Sequence, residues 1–183
     1  MIRIPVPTFA IFWNWTALLR QTQHSPMSDL HYRDTVFKMI DITETRPSDV
    51  EQIREWLAAD PWHKADPKNM PEFMVTGNGL LCYCVQDEVG PICYVKLTDN
   101  GDGLMRCAVQ FGPEEEVSKK RVALGLKIGM IPSARMFAAM LGFKGLVYES
   151  VNPALIEFCK KMGFERSMGG DDYAMLFEDK HDV

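Results

Sequence analysis

Apolar residues in this 183-residue chain come in short alternating runs closed by turn residues, interrupted by stretches where they recur every three or four positions. Residues 36–42 alternate as a first strand, closed by Thr43, Glu44, Thr45, Arg46 and Pro47. Ser48 followed by Glu51 has the spacing of a capping box. Val50, Ile53, Trp56 and Leu57 then form the apolar stripe of a helix reaching Asp60. Pro61 and Pro67 bound a loop, and residues 69–74 are expected as a short second helix. Three apolar runs follow, at 80–85, 92–97 and 104–111. The turns between them, at 87–91 and 99–103, are rich in Asp, Asn and Gly, which predicts an antiparallel meander. A long helical pattern covers 113–141, with a break or kink expected at 130–132, because an interior proline removes a helix hydrogen bond.

Residues 146–151 are β-branched and aromatic and read as a strand. Next, Asn152 can accept from the first free amides of a helix, and Pro153 suits its first turn. Leu155, Ile156, Phe158 and Cys159 make an apolar stripe. Lys160 and Lys161 sit where the carbonyl end of the helix attracts cations, and Gly163 supplies a left-handed stop. Strands are expected at 164–168 and 173–177, joined by a Gly-Gly-Asp-Asp turn. The order is β-α-(α)-β-β-β-α-β-α-β-β, a mixed α/β (α+β) chain with a largely antiparallel sheet flanked by helices.

This element order over 36–178, together with Asn152, Ala154, Ile156, Lys161, Gly163 and Phe164, resembles the GNAT superfamily of acetyl-CoA-dependent N-acyltransferases. The resemblance implies a GNAT-like domain over 35–183, with residues 1–34 as an atypical extension. It implies transfer of an acetyl or other acyl group from CoA to an amine, carried by a small molecule or a peptide. Within the family pattern, the backbone of Val109, Gln110 and Phe111 would meet the pantetheine arm and acyl group. The pyrophosphate loop would fall on Lys120, Arg121, Val122, Ala123, Leu124 and Gly125, with Asn152 nearby. Two departures stand out. Ala123 occupies the place of the loop's first glycine, and Cys159 occupies the place of the tyrosine that protonates the leaving thiolate. A thiol can donate a proton, so Cys159 is the candidate catalytic residue; packing on an apolar helical stripe is the other reading of it. A second reading of 112–121 starts a helix at Pro113, with Glu114, Glu115 and Glu116 in its first turn. Lys119, Lys120 and Arg121 would then be a solvated helical face, and three carboxylates would repel a pyrophosphate. A GNAT-like module without catalysis is the alternative function.

Charge and cysteine content narrow this only modestly. A net charge of −5 argues against a nucleic-acid backbone as partner. Five cysteines without Cys-x-x-Cys spacing predict no disulfide framework, and the cytoplasm is the expected compartment. Cys82, Cys84 and His63 read as packing residues rather than metal ligands. No apolar run is long enough to predict a bilayer span, and the segment 2–19 is interrupted by Pro5, Pro7, Asn14 and Thr16. Phe9, Phe12, Trp13 and Trp15 would make that segment an interaction arm if exposed. Glu88 and Glu149 do not qualify as a general base over a salt bridge or solvated turn. Tyr83 and Tyr94 read either as cleft-lining or as core aromatics. The assembly state is open, with a homodimer among the alternatives.

Overall fold

The computed structural model describes residues 40–62, 71–75, 80–167 and 172–177. The extension expected at 1–34, His63 and the beginning of the first strand lie outside them. Seven strands, β1 (Asp41–Glu44), β2 (Leu81–Asp87), β3 (Gly90–Asp99), β4 (Leu104–Phe111), β5 (Gly145–Glu149), β6 (Glu165–Arg166) and β7 (Asp172–Leu176), form one sheet. Its order is β1-β2-β3-β4-β5-β7-β6. All neighbours are antiparallel except β4 and β5, which run parallel.

Alternation along the strands sends side chains to two separate cores. On one face, Val85, Val95, Leu97 and Met105 pack under α2 (Lys119–Met140) and α3 (Pro153–Lys161). On the other, Cys84, Ile92 and Tyr94 pack under α1 (Val50–Ala59), whose Ile53, Trp56 and Leu57 are the predicted stripe. Tyr83 belongs to the first core. Tyr94 belongs to the second, its hydroxyl donating to Gln52 Oε1 at 2.6 Å.

The meander, the last helix and the last strand follow the sequence pattern closely, while several boundaries move. The first strand extends through Thr43 and Glu44 because these residues pair with Cys84 and Tyr83. The capping box shifts as well. Ser48 and Glu51 do not form it; instead Arg46 N–H donates to Asp49 Oδ2 at 2.8 Å, before a 3-10 turn at Pro47–Asp49. In place of a second helix there is a 3-10 turn, Pro71–Met74.

The long helix departs most. It begins at Lys119, not Pro113, because residues 113–117 close a turn of their own. Both Glu116 N–H and Val117 N–H donate to Pro113 O, and Val117 is buried in the second core. Trp56 Nε1 donates to Glu116 Oε2 at 2.9 Å, which pins this loop to α1. Nor does the helix break at Pro132. It widens into a π turn over Gly125–Met130, where Ile131 N–H bonds back to Leu126 O, and the proline follows directly. On the sheet side of that turn, a Cβ at Gly129 would lie 2.7 Å from both Ile40 and Val85, so only glycine permits so close an approach. By length and composition α2 would also suit a bilayer span. Here its buried residues, among them Leu126, Met130, Ala134 and Ala138, pack into the principal core.

Candidate functional site

The parallel strands β4 and β5 pair over only three residues, ending at Arg106↔Val147. Beyond that point β4 runs on to Phe111 and β5 to Glu149, so the sheet opens between them. Which backbone groups face the opening follows from the β3–β4 register. Asn100 N–H donates to Leu104 O, and Gly112 N–H donates to Ile92 O. In an antiparallel ladder such bonded pairs recur every second residue, so the even positions of β4 exchange bonds with β3. The odd positions therefore turn toward β5, and past the last pair these are Cys107, next to that pair, then Val109 and Phe111. Gln110, predicted alongside them, has its backbone in the β3 ladder. Its side chain donates to Asp60 Oδ2 at 3.3 Å and Phe111 O at 2.9 Å.

The start of α2 comes next in the chain. Ser118 caps it by accepting from Arg121 N–H, and Val122 N–H bonds to Ser118 O. This leaves the amides of Lys119 and Lys120 without intrahelical partners, with the positive end of the helix behind them. Both side chains are exposed, and Lys119 pairs with Glu114 at 3.1 Å. The remaining residues of the predicted loop are helical. Gly125 N–H is bonded to the carbonyls of Arg121 and Val122, and a Cβ on Gly125 would meet Ile92 at 3.0 Å. Gly125 thus faces the sheet, as Val122 faces both cores, while Ala123 and Leu124 continue the helix between partial burial and solvent.

Arg121 is not a solvated face. Its Nε and Nη2 grip the buried Asp87 carboxylate at 2.9 and 2.7 Å, Nη2 also donates to Gly90 O, and Nη1 donates to Glu116 O. The guanidinium therefore ties the β2–β3 hairpin to the loop before α2. Its hydrogen bonds hold the Asp87 carboxyl below the usual carboxylate range, with the amides of Val89 and Gly90 helping.

Asn152 caps α3, its Oδ1 accepting from Ala154 and Leu155 N–H at 3.0 and 3.4 Å, and its own N–H donates to Ser150 Oγ. Cys159 lies seven residues on, buried against Tyr148 of β5. Burial pushes its thiol up to about 11, partly offset by the Tyr148 hydroxyl beside it. It is therefore protonated at neutral pH, which suits a hydrogen-bonding group and not a thiolate nucleophile. Two residues were missed from sequence. One is Tyr148, whose strand-like context gave no sign of its buried hydroxyl. The other is Lys96, a lysine inside an apolar strand run, which was a readable signal. Lys96 is 1% exposed, donates to Phe73 O at 2.6 Å and sits 3.7 Å from the Phe73 ring centroid. It lies on the α1 face of the sheet, as Gln110 does. A separate cavity of about 140 Å³ lies on that face over β1–β3, lined by Arg46, Asp49, Gln86 and Tyr94 among others, away from the opening. Among the described residues, no group of three or more His, Cys, Asp or Glu is placed to hold a metal ion.

Solved structures share this architecture. An acetyltransferase of the GNAT family from Staphylococcus aureus Mu50 superposes with a TM-score of 0.58 at 12% identity, over 75% of this chain and 99% of that one. A GCN5-related N-acetyltransferase from Kribbella flavida gives 0.54 at 14%, over 75% and 98%. A spermidine N-acetyltransferase chimera from Vibrio cholerae gives 0.55 at 16%, over 75% and 95%. No protein-family model matches the sequence, and neither does any curated protein. The chain has the GNAT fold: a seven-stranded, mostly antiparallel open sheet flanked by helices.

Proposed function

We propose that the chain is an N-acyltransferase that holds an acyl-CoA thioester in the opening between β4 and β5 and passes the acyl group to an amine. The observation that carries this reading is the opening itself. There the sheet stops pairing and the backbone of Val109 and Phe111 turns toward the gap. A bound thioester supplies an activated carbonyl. The attacking amine forms the C–N bond, the C–S bond breaks, and the proton lost by nitrogen ends on the thiol of CoA. The Val109 N–H is placed to donate to the carbonyl oxygen as negative charge gathers there. The amides of Lys119 and Lys120 and their ammonium groups, at the end of α2, are the anion-binding groups left for the pyrophosphate. The cytoplasm is the compartment proposed with this reading.

One observation favours the non-catalytic alternative. Arg121 is committed to Asp87, and the amides of Val122 and Gly125 bond within the helix, so the phosphate end of the site is poorer in donors than the loop expected from sequence. Titration with acetyl-CoA, followed by melting temperature and by thiol release in the presence of an amine panel, separates the readings. Binding to the folded state must raise Tm, by about 2.7 kcal/mol of stabilisation at a hundred times Kd. A Tm rise with thiol release supports the transferase, and a rise without release supports the binding module. No shift at millimolar acetyl-CoA sinks the transferase and leaves the non-catalytic module standing. Lys120→Glu is expected to weaken binding at least several-fold at low salt, less so at high salt.

A further inference from the structure

The cavity over the outer strands has chemistry of its own. Thr43, Cys84 and Tyr94 fall in one row across β1, β2 and β3, so their side chains share the α1 face. Cys84 and Tyr94 are buried and floor the cavity of about 140 Å³ that lies there. Thr43 and Gln86 line it from the sheet, and Arg46 and Asp49 from the turn that leads into α1. The charges around it are held apart. Asp49 Oδ2 accepts from Arg46 N–H at 2.8 Å, and its Oδ1 accepts from Ser48 Oγ at 3.4 Å. Yet the exposed Arg46 guanidinium forms no ion pair with Asp49 or with any other carboxylate among the described residues. The Gln86 amide likewise has no hydrogen-bond partner among them. Tyr94 spends its hydroxyl proton on Gln52 Oε1, which leaves its oxygen as an acceptor. Burial, and after it the Asp49 charge, pushes the Cys84 thiol on the floor up to about 12, so the negative potential of Asp49 reaches into the cavity. The inner end therefore favours a cationic nitrogen, and Arg46 at the mouth favours a carboxylate. The space lies below the roughly 300–1,000 Å³ of pockets that hold drug-sized ligands, so a nucleotide is too large and a free amino acid is not.

We propose that this cavity binds a small zwitterion, a free α-amino acid, with its ammonium toward Asp49, Tyr94 Oη and the Gln86 amide oxygen and its carboxylate on the Arg46 guanidinium. The site is separate from the opening between β4 and β5, and the proposal stands whether or not that opening takes acyl-CoA. A ligand with a cationic end alone leaves Arg46 without a partner. A ligand with an anionic end alone brings a second negative charge close to Asp49. Only a molecule carrying both charges a few ångströms apart satisfies the two ends together.

The test titrates the full chain at neutral pH with L-alanine, ethylamine and propionate, followed through backbone amide NMR spectra. Alanine is expected to shift the amides of Thr43, Gln86 and Asp49 and to saturate with a Kd of about 1 mM or tighter. Ethylamine and propionate each lack one charged end and are expected to bind about tenfold more weakly or worse, the worth of one charge-assisted hydrogen bond. Either of them binding as tightly as alanine overturns the zwitterion assignment. No shift up to about 50 mM alanine overturns the site. Shifts confined to Val109 and Phe111 overturn it too, and make alanine a ligand of the opening. Arg46→Gln and Asp49→Asn are each expected to weaken alanine binding by about tenfold with ligand-free melting close to the wild type, since asparagine can still accept from Arg46 N–H. Variants that bind alanine as the wild type does overturn the assignment of these two residues and with it the proposal. Should Asp49→Asn fold poorly, Arg46→Gln, at an exposed position, decides the matter by itself.

Discussion

Arg121 shows how one side chain can change roles between its sequence context and its place in the fold. Next to two exposed lysines it reads as part of a basic face, yet it is bonded to a carboxylate 34 positions earlier. Asp87 is fully buried and Arg121 nearly so, which makes removal of one partner far more costly than the pair is stabilising. Asp87→Asn is therefore expected to lose about 3 kcal/mol at neutral pH, measured by urea unfolding. The pH dependence has a definite sign. Because the folded-state pKa of Asp87 is lowered, its contribution is complete above the unfolded value near 3.9 and is lost as pH falls through the lower folded value. The stability gap between wild type and Asp87→Asn should thus close below about pH 4. A gap that stays constant down to the acid transition would show that the carboxyl is not held by Arg121. None of this was legible locally, since neither residue's neighbours in sequence name the other. Asn152 is the contrary case. Its cap depends only on the next three residues and was readable as such.

At the scale of elements, α2 is where local rules and packing compete. Three glutamates after a proline make a good helix start, but burial of Val117 and the Trp56–Glu116 bond turn that segment into a loop, and Ser118 caps the helix instead. Pro132 predicts a break or kink near 130–132; the helix instead widens into a π turn over Gly125–Met130 and resumes at Ile131. The seat of the helix on the sheet depends on Gly129. Alanine is the better helix former by about 1 kcal/mol, yet a Cβ there overlaps Ile40 and Val85. Gly129→Ala is expected to destabilise by about 1–3 kcal/mol net, measured by thermal or urea unfolding. Stabilisation would mean that the helix can lift from the sheet at no cost. Ser118→Ala should cost about 1 kcal/mol through loss of the cap.

For the whole molecule, the sheet sets both the stability gradient and the site. β3 is covered on both faces, with Ile92, Cys93, Tyr94, Val95, Lys96 and Leu97 all 1% exposed or less. Its amides should exchange slowest, near the global unfolding limit, and those of the two-residue edge strand β6 fastest. A β3 that exchanges as fast as β6 would contradict this layering. The same sheet opens where β4 and β5 part, after three paired residues. Ligand binding there is expected to slow exchange at Val109 and Phe111 and leave Gly125 unaffected, the reverse of what the Lys120–Gly125 loop assignment requires.

The chain's own pattern determined the strand meander, the cap of the last helix and the order that leads to a GNAT-like sheet, since period-2 alternation, turn residues and that cap act through neighbours a few positions apart. Only tertiary structure decided which backbone groups face the opening, where α2 starts, that Arg121 is spoken for, and that Tyr148 buries its hydroxyl in the core. Those outcomes depend on pairing register, on burial and on partners 34 to 60 residues away, none of which is encoded in any local stretch of the sequence.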